Sequence, residues 1–117
     1  MSRENLEIVL RQLEALNRRD IDAFVALVSP EVAWEDDMFG SEPSRIYRGR
    51  AEVREWLNRV LEPWESLHGE VEEITEAADQ RVFAGGLLTA RGKGSGVETQ
   101  IRGRFVFWIT DGKVTRR

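Results

Sequence analysis

The amino-acid sequence predicts an α+β protein in which a strongly curved, mostly antiparallel sheet wraps around three N-terminal helices. Apolar residues recur at steps of three and four through much of the first half of the chain, which is the period of a helix. From residue 68 onward, stretches of strand character are separated by Ala78-Asp79, by Gly92 to Gly96 and by Asp111-Gly112, which are turn-forming residues. Helices followed by hairpin-connected strands are typical of the α+β class.

Three helices are predicted. The first runs from about residue 3 to 17, and Asp20 is placed to cap the start of a second helix, which Ser29-Pro30 then ends. A third helix opens at Gly49 or Arg50 and has a broad apolar face. The apolar positions that define the three helices are Leu6, Val9, Leu10, Leu13 and Leu16, then Ile21, Phe24, Leu27 and Val28, then Val53, Trp56, Leu57, Val60, Leu61 and Trp64.

The predicted strands begin with a short one at Val32, followed by an irregular connection rich in glycine, serine and proline up to the third helix. Four more strands are expected at about residues 68–77, 81–91, 97–110 and 113–117. The glycine-rich turn from Gly92 to Gly96 is not interpreted as a phosphate-binding loop, because such a loop precedes a helix and this one precedes a strand.

Length and composition narrow the range of possible functions. A chain of 117 residues is expected to form one domain with its own core, and a net charge of −4 without a basic block argues against a nucleic-acid partner. The chain has no cysteine and a single histidine, His68, so neither a disulfide framework nor a zinc site is predicted. The N-terminal residues lack the apolar run of a signal peptide or a membrane span, and a cytoplasmic location is expected.

The segment from Val32 to Gly49 is where chemistry is predicted. The period of a strand places Trp34 and Asp36 on one face and Glu35 on the other. A carboxylate beside a buried indole is a candidate general base, because loss of solvation favours its protonated form. The alternative is that these acidic residues form a solvated strand end.

The long strand at residues 97–110 is apolar on both faces of its last half. One face carries Phe105, Phe107 and Ile109, and the other carries Arg104, Val106 and Trp108. A strand of this kind needs a cover on each side. We expect the first face to form a homodimer interface, and the second to line a cavity with Trp34 and Trp56 that takes a small apolar molecule.

Four segments carry a resemblance to a known family. They are residues 16–23 (LNRRDIDA), 32–36 (VAWED), 49–56 (GRAEVREW) and 111–114 (DGKV). In this order and spacing the chain resembles, over essentially its whole length, the SnoaL-like branch of the nuclear transport factor 2-like superfamily, which is related to ketosteroid isomerases and polyketide cyclases. The resemblance implies a cone-shaped domain with the three helices in the concavity of the sheet.

The resemblance also implies roles for individual residues. Asp36 occupies the position of the general base and Trp56 that of an aromatic pocket wall, while Gln12 and Arg104 match the positions that donate hydrogen bonds to the substrate oxygen. An arginine would stabilise an enolate as a cation.

The implied activity is cofactor-free proton transfer of the isomerase, cyclase or hydrolase type. The alternative is a non-catalytic binding or dimerisation module, in which Asp36 and Arg104 form a buried ion pair. Tyr47 is expected either to lie at the cavity mouth as a hydrogen-bond donor or only to hold the loop before the third helix in place.

Overall fold

The computed structural model describes residues 3–36, 45–77 and 79–117. These residues form helices α1 (Arg3–Asn17), α2 (Ile21–Ala26) and α3 (Gly49–Leu61), and strands β1 (Val28–Asp36), β2 (Arg45–Arg48), β3 (Trp64–Glu76), β4 (Arg81–Gly92), β5 (Glu98–Thr110) and β6 (Lys113–Arg116). The strands form one sheet in the order β2-β1-β6-β5-β4-β3. Only the pair β1 and β6 is parallel among these strands. The predicted α+β architecture is confirmed.

The helix starts have local causes. The Asp20 carboxylate accepts a hydrogen bond from the Ala23 amide at 3.1 Å, so Asp20 caps α2 as its position predicts. Helix α3 begins at Gly49, whose φ of 82° lies in the left-handed region that glycine adopts without strain. One residue later, Arg50 Nε donates to the Val28 carbonyl at 2.9 Å and ties the start of α3 to β1.

The end of α2 was predicted too late. The helix ends at Ala26, and Val28, expected on its apolar face, is instead the first residue of β1. Pro30 therefore lies within a strand. The pairing of β1 with β6 shifts register between Val28 and Ala33, and this irregular stretch accommodates a residue that has no backbone donor.

Two further strand boundaries differ from the prediction. Residues 45–48, predicted as part of a loop, form β2 and pair with the end of β1, with Tyr47 opposite Trp34. Trp64, assigned to the third helix by its apolar spacing, is the first residue of β3 and pairs with Gly92. The other loop residues of the prediction, 37–44, lie outside the described residues.

Glycines from two neighbouring strands meet near the middle of β4. Gly86 of β4 lies opposite Gly103 of β5, and the pairing of β3 with β4 shifts register between Val71 and Glu73 beside them. A Cβ atom added to Gly86 would collide with the backbone carbonyl of Glu70. Glycines and register shifts of this kind allow a sheet to bend, so we assign the curvature of the sheet around the helices to this point.

The predicted faces of the long strand are reversed in the structure. Phe107 and Ile109 are buried in the core, and Phe105 packs against it, so these three residues face the helices. Their buried neighbours on β4, Val82 and Ala84, fix this register. The prediction that Phe105, Phe107 and Ile109 form a homodimer interface is therefore wrong, because these residues face the core of their own chain. Homodimer formation stays a prediction.

The outer face of the sheet carries charged and aromatic pairs. Arg102 donates two hydrogen bonds of 2.8 Å to Glu72, which hold the pKa of the Glu72 carboxyl below its ordinary value. Arg116 lies 5.1 Å from the centre of the Trp108 ring, which belongs to this face. None of the described helices has the length and hydropathy needed to cross a bilayer.

Candidate ligand cavity

A cavity of about 280 Å³ lies between the helices and the concave face of the sheet. Its wall is mostly apolar. Among the described residues, the side of the helices and β1 contributes Val9, Gln12, Leu13, Leu16, Phe24, Trp34 and Trp56, and the side of the sheet contributes Gly69, Glu70, Val71, Ala84, Gly85, Gly86, Leu87, Leu88, Ile101, Arg102, Gly103, Arg104, Phe105, Phe107 and Arg117.

Three aromatic side chains of the cavity wall pack against one another. Each comes from a different element: Phe24 from α2, Trp34 from β1 and Trp56 from α3. The ring centres of Trp34 and Trp56 are 5.1 Å apart, and those of Phe24 and Trp34 are 5.7 Å apart in an edge-to-face arrangement. Distances and angles of this kind are favourable between aromatic rings and make a rigid wall.

The guanidinium of Arg117 covers this aromatic wall. Its central carbon lies 4.5 Å from the ring centre of Trp34, 5.3 Å from that of Trp56 and 4.5 Å from that of Phe105. The backbone of Arg117 is held by β1, because its carbonyl accepts from the Glu35 amide at 2.8 Å and its amide donates to the Ala33 carbonyl at 3.0 Å. A cation is thus fixed in the wall of a largely apolar cavity.

Three buried hydrogen-bond donors belong to residues of the cavity wall. Gln12 Nε2, Trp34 Nε1 and Trp56 Nε1 are buried and have no hydrogen-bond partner in the described part of the chain. Their residues are only 3%, 1% and 4% exposed. A buried donor without an acceptor costs about 1–3 kcal/mol. These three donors are therefore packed inside the domain, next to the cavity, without an acceptor among the described residues.

The structure brings together several of the residues predicted from the sequence. Gln12, Trp34 and Trp56 all line the cavity. Arg104 belongs to the wall as well, but its side chain is 86% exposed and its Nε lies 3.5 Å from Glu73 Oε1. The predicted ion pair of Arg104 with Asp36 is thus replaced by a surface pair with Glu73. The physical cause is that Arg104 lies on the outer face of β5, whereas the prediction placed it on the face that lines the cavity.

The other predicted site residues lie elsewhere. Asp36, at the end of β1, is half-buried and lies opposite Arg45 in the strand pairing of β1 with β2. It is not among the described residues of the cavity wall. Tyr47 is buried beneath Arg45, whose guanidinium carbon is 4.4 Å from the ring centre, and its hydroxyl accepts from Arg59 Nη1 at 3.4 Å. It thus packs in the core. Val106 and Trp108 lie on the outer face of β5 and not in the cavity, contrary to the prediction.

Arg117 and Phe24 are cavity residues that were not predicted from the sequence. Arg117 is distant in sequence from the aromatic residues it covers, and only the pairing of β6 with β1 brings them together. Within the ranges 3–36, 45–77 and 79–117, no three side chains of His, Asp or Glu cluster in a way that would hold a metal ion.

The sequence of residues 9–117 matches the profile of the SnoaL-like domain. No curated protein matches the chain at the sequence level.

Several solved structures share the fold. The Mycobacterium tuberculosis protein RV0760c in complex with estradiol-17beta-hemisuccinate is 18% identical with a TM-score of 0.82, over 97% of this chain and 89% of that one. TerC co-crystallised with polyporic acid is 23% identical with a TM-score of 0.81, over 97% and 87%. A protein of ketosteroid isomerase-like fold from Catenulispora acidiphila, in complex with trimethylamine, is 17% identical with a TM-score of 0.82, over 94% and 81%. The fold is thus that of the nuclear transport factor 2-like proteins.

Proposed function

Because this chain belongs to the SnoaL-like family, whose fold serves several functions, we propose that it is a small-molecule-binding protein whose central cavity takes an apolar ligand. The single observation that carries the proposal is the aromatic wall: Phe24, Trp34 and Trp56 converge on a cavity of about 280 Å³. A concave, mostly apolar site with a few polar groups is the usual form of a small-molecule site.

The ligands of the structural neighbours support a binding role without naming the ligand. An estradiol hemisuccinate, polyporic acid and trimethylamine differ in size and charge. Proteins of this fold therefore form complexes with several kinds of small molecule. For this chain, the ligand class has to be inferred from its own side chains.

The binding proposal predicts a saturable change in tryptophan emission when an apolar aromatic ligand is added. Trp34 and Trp56 lie in the cavity wall, so a bound ring would contact both indoles. We expect titration with a panel of naphthalene ketones, carboxylates and amides to give at least one saturating curve. The variant Trp108→Phe removes an indole of the outer face and should leave that curve unchanged. If no member of the panel perturbs the emission, the proposal is rejected.

A second candidate function is proton transfer by Asp36. The observation that favours it is the position of this carboxylate, half-buried and on the same face of β1 as the cavity residue Trp34. Residues two apart on a strand share a face, so Asp36 is directed to the side on which the cavity lies. In this proposal Asp36 accepts the proton of a ketone ligand and no cofactor takes part. Arg104, paired with Glu73, has no role in it.

The second candidate predicts a specific kinetic defect in the variant Asp36→Asn. This change keeps the shape of the side chain and removes the base, so exchange of deuterium into a bound ketone should fall by about 10²–10⁴. Ligand affinity should stay within about tenfold of wild type. The matched control is Glu35→Gln, which removes the neighbouring carboxylate on the opposite face. An exchange rate of Asp36→Asn equal to that of wild type would exclude Asp36 as the base.

A further inference from the structure

We infer that the cavity takes a flat ligand of about two fused six-membered rings, and that Ala84 of β4 sets this limit on ligand size. The inference rests on the proposed binding function. It adds the size class of the ligand and the residue that selects it.

The volume of the cavity corresponds to a ligand of two rings. An apolar cavity of about 150 Å³ lined by leucine, isoleucine and phenylalanine binds one benzene ring. The cavity of this protein has about 280 Å³ and a mostly apolar wall, so it has room for roughly two such rings. Phe24, Trp34 and Trp56 meet in this wall with ring centres 5.1, 5.7 and 6.3 Å apart. Aromatic faces and edges pack well against a further flat ring, which favours a fused aromatic body.

Small residues at the middle of β4 leave this space open. The face of β4 that is directed to the helices carries Val82, Ala84, Gly86 and Leu88 in turn, so its side chains are smallest at the two middle positions. On β5, Gly103 lies opposite Gly86. Three neighbouring positions on the concave side of the sheet thus contribute a single methyl group.

The space beside the two glycines is already occupied by other atoms. A Cβ atom on Gly86 would collide with the backbone carbonyl of Glu70. A Cβ atom on Gly103 would lie 3.1 Å from Cζ of Phe105, so the ring of Phe105 lies over this glycine. The glycines therefore allow close packing of their neighbours, and the free volume has to lie beside Ala84.

Ala84 has the position that a size-determining residue needs. It belongs to the cavity wall, and it lies opposite Phe105, another residue of that wall. It keeps 9% of its surface exposed, whereas Ala90 on the same face of β4 is 0% exposed and is not among the described wall residues. A longer side chain at residue 84 would extend from the sheet into the cavity.

Three alcohols with one, two and three fused rings test the size class on the wild-type protein. They are benzyl alcohol, 2-naphthalenemethanol and 9-phenanthrenemethanol, which carry the same neutral polar group. We expect calorimetric titration to show the two-ring compound binding at least about tenfold more tightly than the one-ring compound, since it removes about four more carbon atoms from water. The three-ring compound should bind no more tightly than the two-ring compound, because a filled cavity does not accept further atoms without strain.

Variants of two wall residues test the residue assignment. Ala84→Leu adds three carbon atoms to the side chain, and it should weaken binding of the two-ring compound about 10- to 100-fold while changing that of the one-ring compound less than about threefold. Leu88→Ala removes three carbon atoms from the same face of β4, and it should raise the affinity for the three-ring compound at least about fivefold.

The matched control is Thr89→Leu, which also enlarges a side chain of β4. Thr89 lies between Leu88 and Ala90, on the outer face of the sheet, and is not among the described wall residues. This control should leave the affinities for all three alcohols unchanged. Thermal melting of each variant checks that the fold is retained.

The possible outcomes separate this inference from the proposed function. If the one-ring compound binds as tightly as the two-ring compound, or the three-ring compound more tightly, the size class is wrong and the binding function stands. If Ala84→Leu and Thr89→Leu weaken the two-ring compound equally, the assignment to Ala84 is wrong. If Ala84→Leu does not fold, Leu88→Ala decides, and an unchanged preference among the three alcohols rejects the size limit at this part of β4. If none of the alcohols binds, the inference is rejected, and the titration of tryptophan emission decides the binding function independently.

Discussion

The variant Gly86→Ala is expected to lower the free energy of unfolding by about 3 kcal/mol, an unusually large effect for the addition of one methyl group. The new Cβ atom would collide with the carbonyl oxygen of Glu70, which belongs to the backbone of β3. A backbone atom in a paired strand cannot move aside without breaking ladder hydrogen bonds. The bend that opens the cavity would have to change, and urea unfolding measures the loss.

The neighbouring glycine provides a matched control for this prediction. A Cβ atom on Gly85 would meet the side chain of Glu73, with its nearest atom, Oε1, at 3.0 Å. That carboxylate is mostly exposed and can rotate away, so Gly85→Ala should cost no more than about 1 kcal/mol. Equal losses in the two variants would show that the close approach of β3 to Gly86 does not determine the bend.

The parts of the fold that depend on local signals were predictable from the sequence. Helix α1 occupies the predicted residues because its apolar stripe is regular, and α2 starts where Asp20 can cap it. The Asp111-Gly112 turn also lies where expected, with positive φ at both residues. In each case a few adjacent residues contain the physical cause.

The parts that were missed depend on partners distant in sequence. Strand β2 exists because residues 45–48 pair with the end of β1, and nothing in their own pattern distinguishes them from a loop. Trp64 has helical spacing with Trp56 and Leu57, yet its pairing with Gly92 makes it the start of β3. Tertiary pairing overrides a local pattern of this kind.

The candidate cavity was predictable only in part. Trp34 and Trp56 could be placed in it because strand and helix periods direct them inward, and the family resemblance implies the positions of Gln12 and Trp56. Arg117 could not, because its position over the indoles follows from the parallel pairing of β6 with β1. The predicted cation, Arg104, was assigned to the cavity from the wrong face of β5. Both errors have one origin, since the location of charge in this cavity is decided by strand pairing.

The face of β5 could not be determined from the sequence because both sides carry large apolar residues. One side carries Phe105, Phe107 and Ile109. The other side carries Val106 and Trp108, and the large indole of Trp108 makes its apolar surface comparable. The residues that lie opposite on β4 show which side of β5 faces the core. Phe107 lies opposite buried Val82, whereas Val106 lies opposite Phe83, a residue that stays 39% exposed.

The assignment of the faces predicts opposite results for two truncations on β5. Ile109→Ala should lower the free energy of unfolding by about 2–5 kcal/mol, because Ile109 is only 1% exposed and its loss leaves a cavity in the core. Val106→Ala, on the half-buried outer face, should cost no more than about 1 kcal/mol. Urea unfolding of both variants gives the comparison. A larger loss for Val106→Ala would restore the face assignment that the sequence alone suggested.

The same pair of variants also tests where subunits could meet. If Ile109 lay at a subunit interface, Ile109→Ala would shift the association state seen in sedimentation, and the unfolding midpoint would depend on protein concentration differently from that of wild type. Since Ile109 is buried among side chains of its own chain, we expect Ile109→Ala to sediment as wild type does, whatever the state of the wild-type protein. A change in sedimentation would contradict the placement of this face in the core.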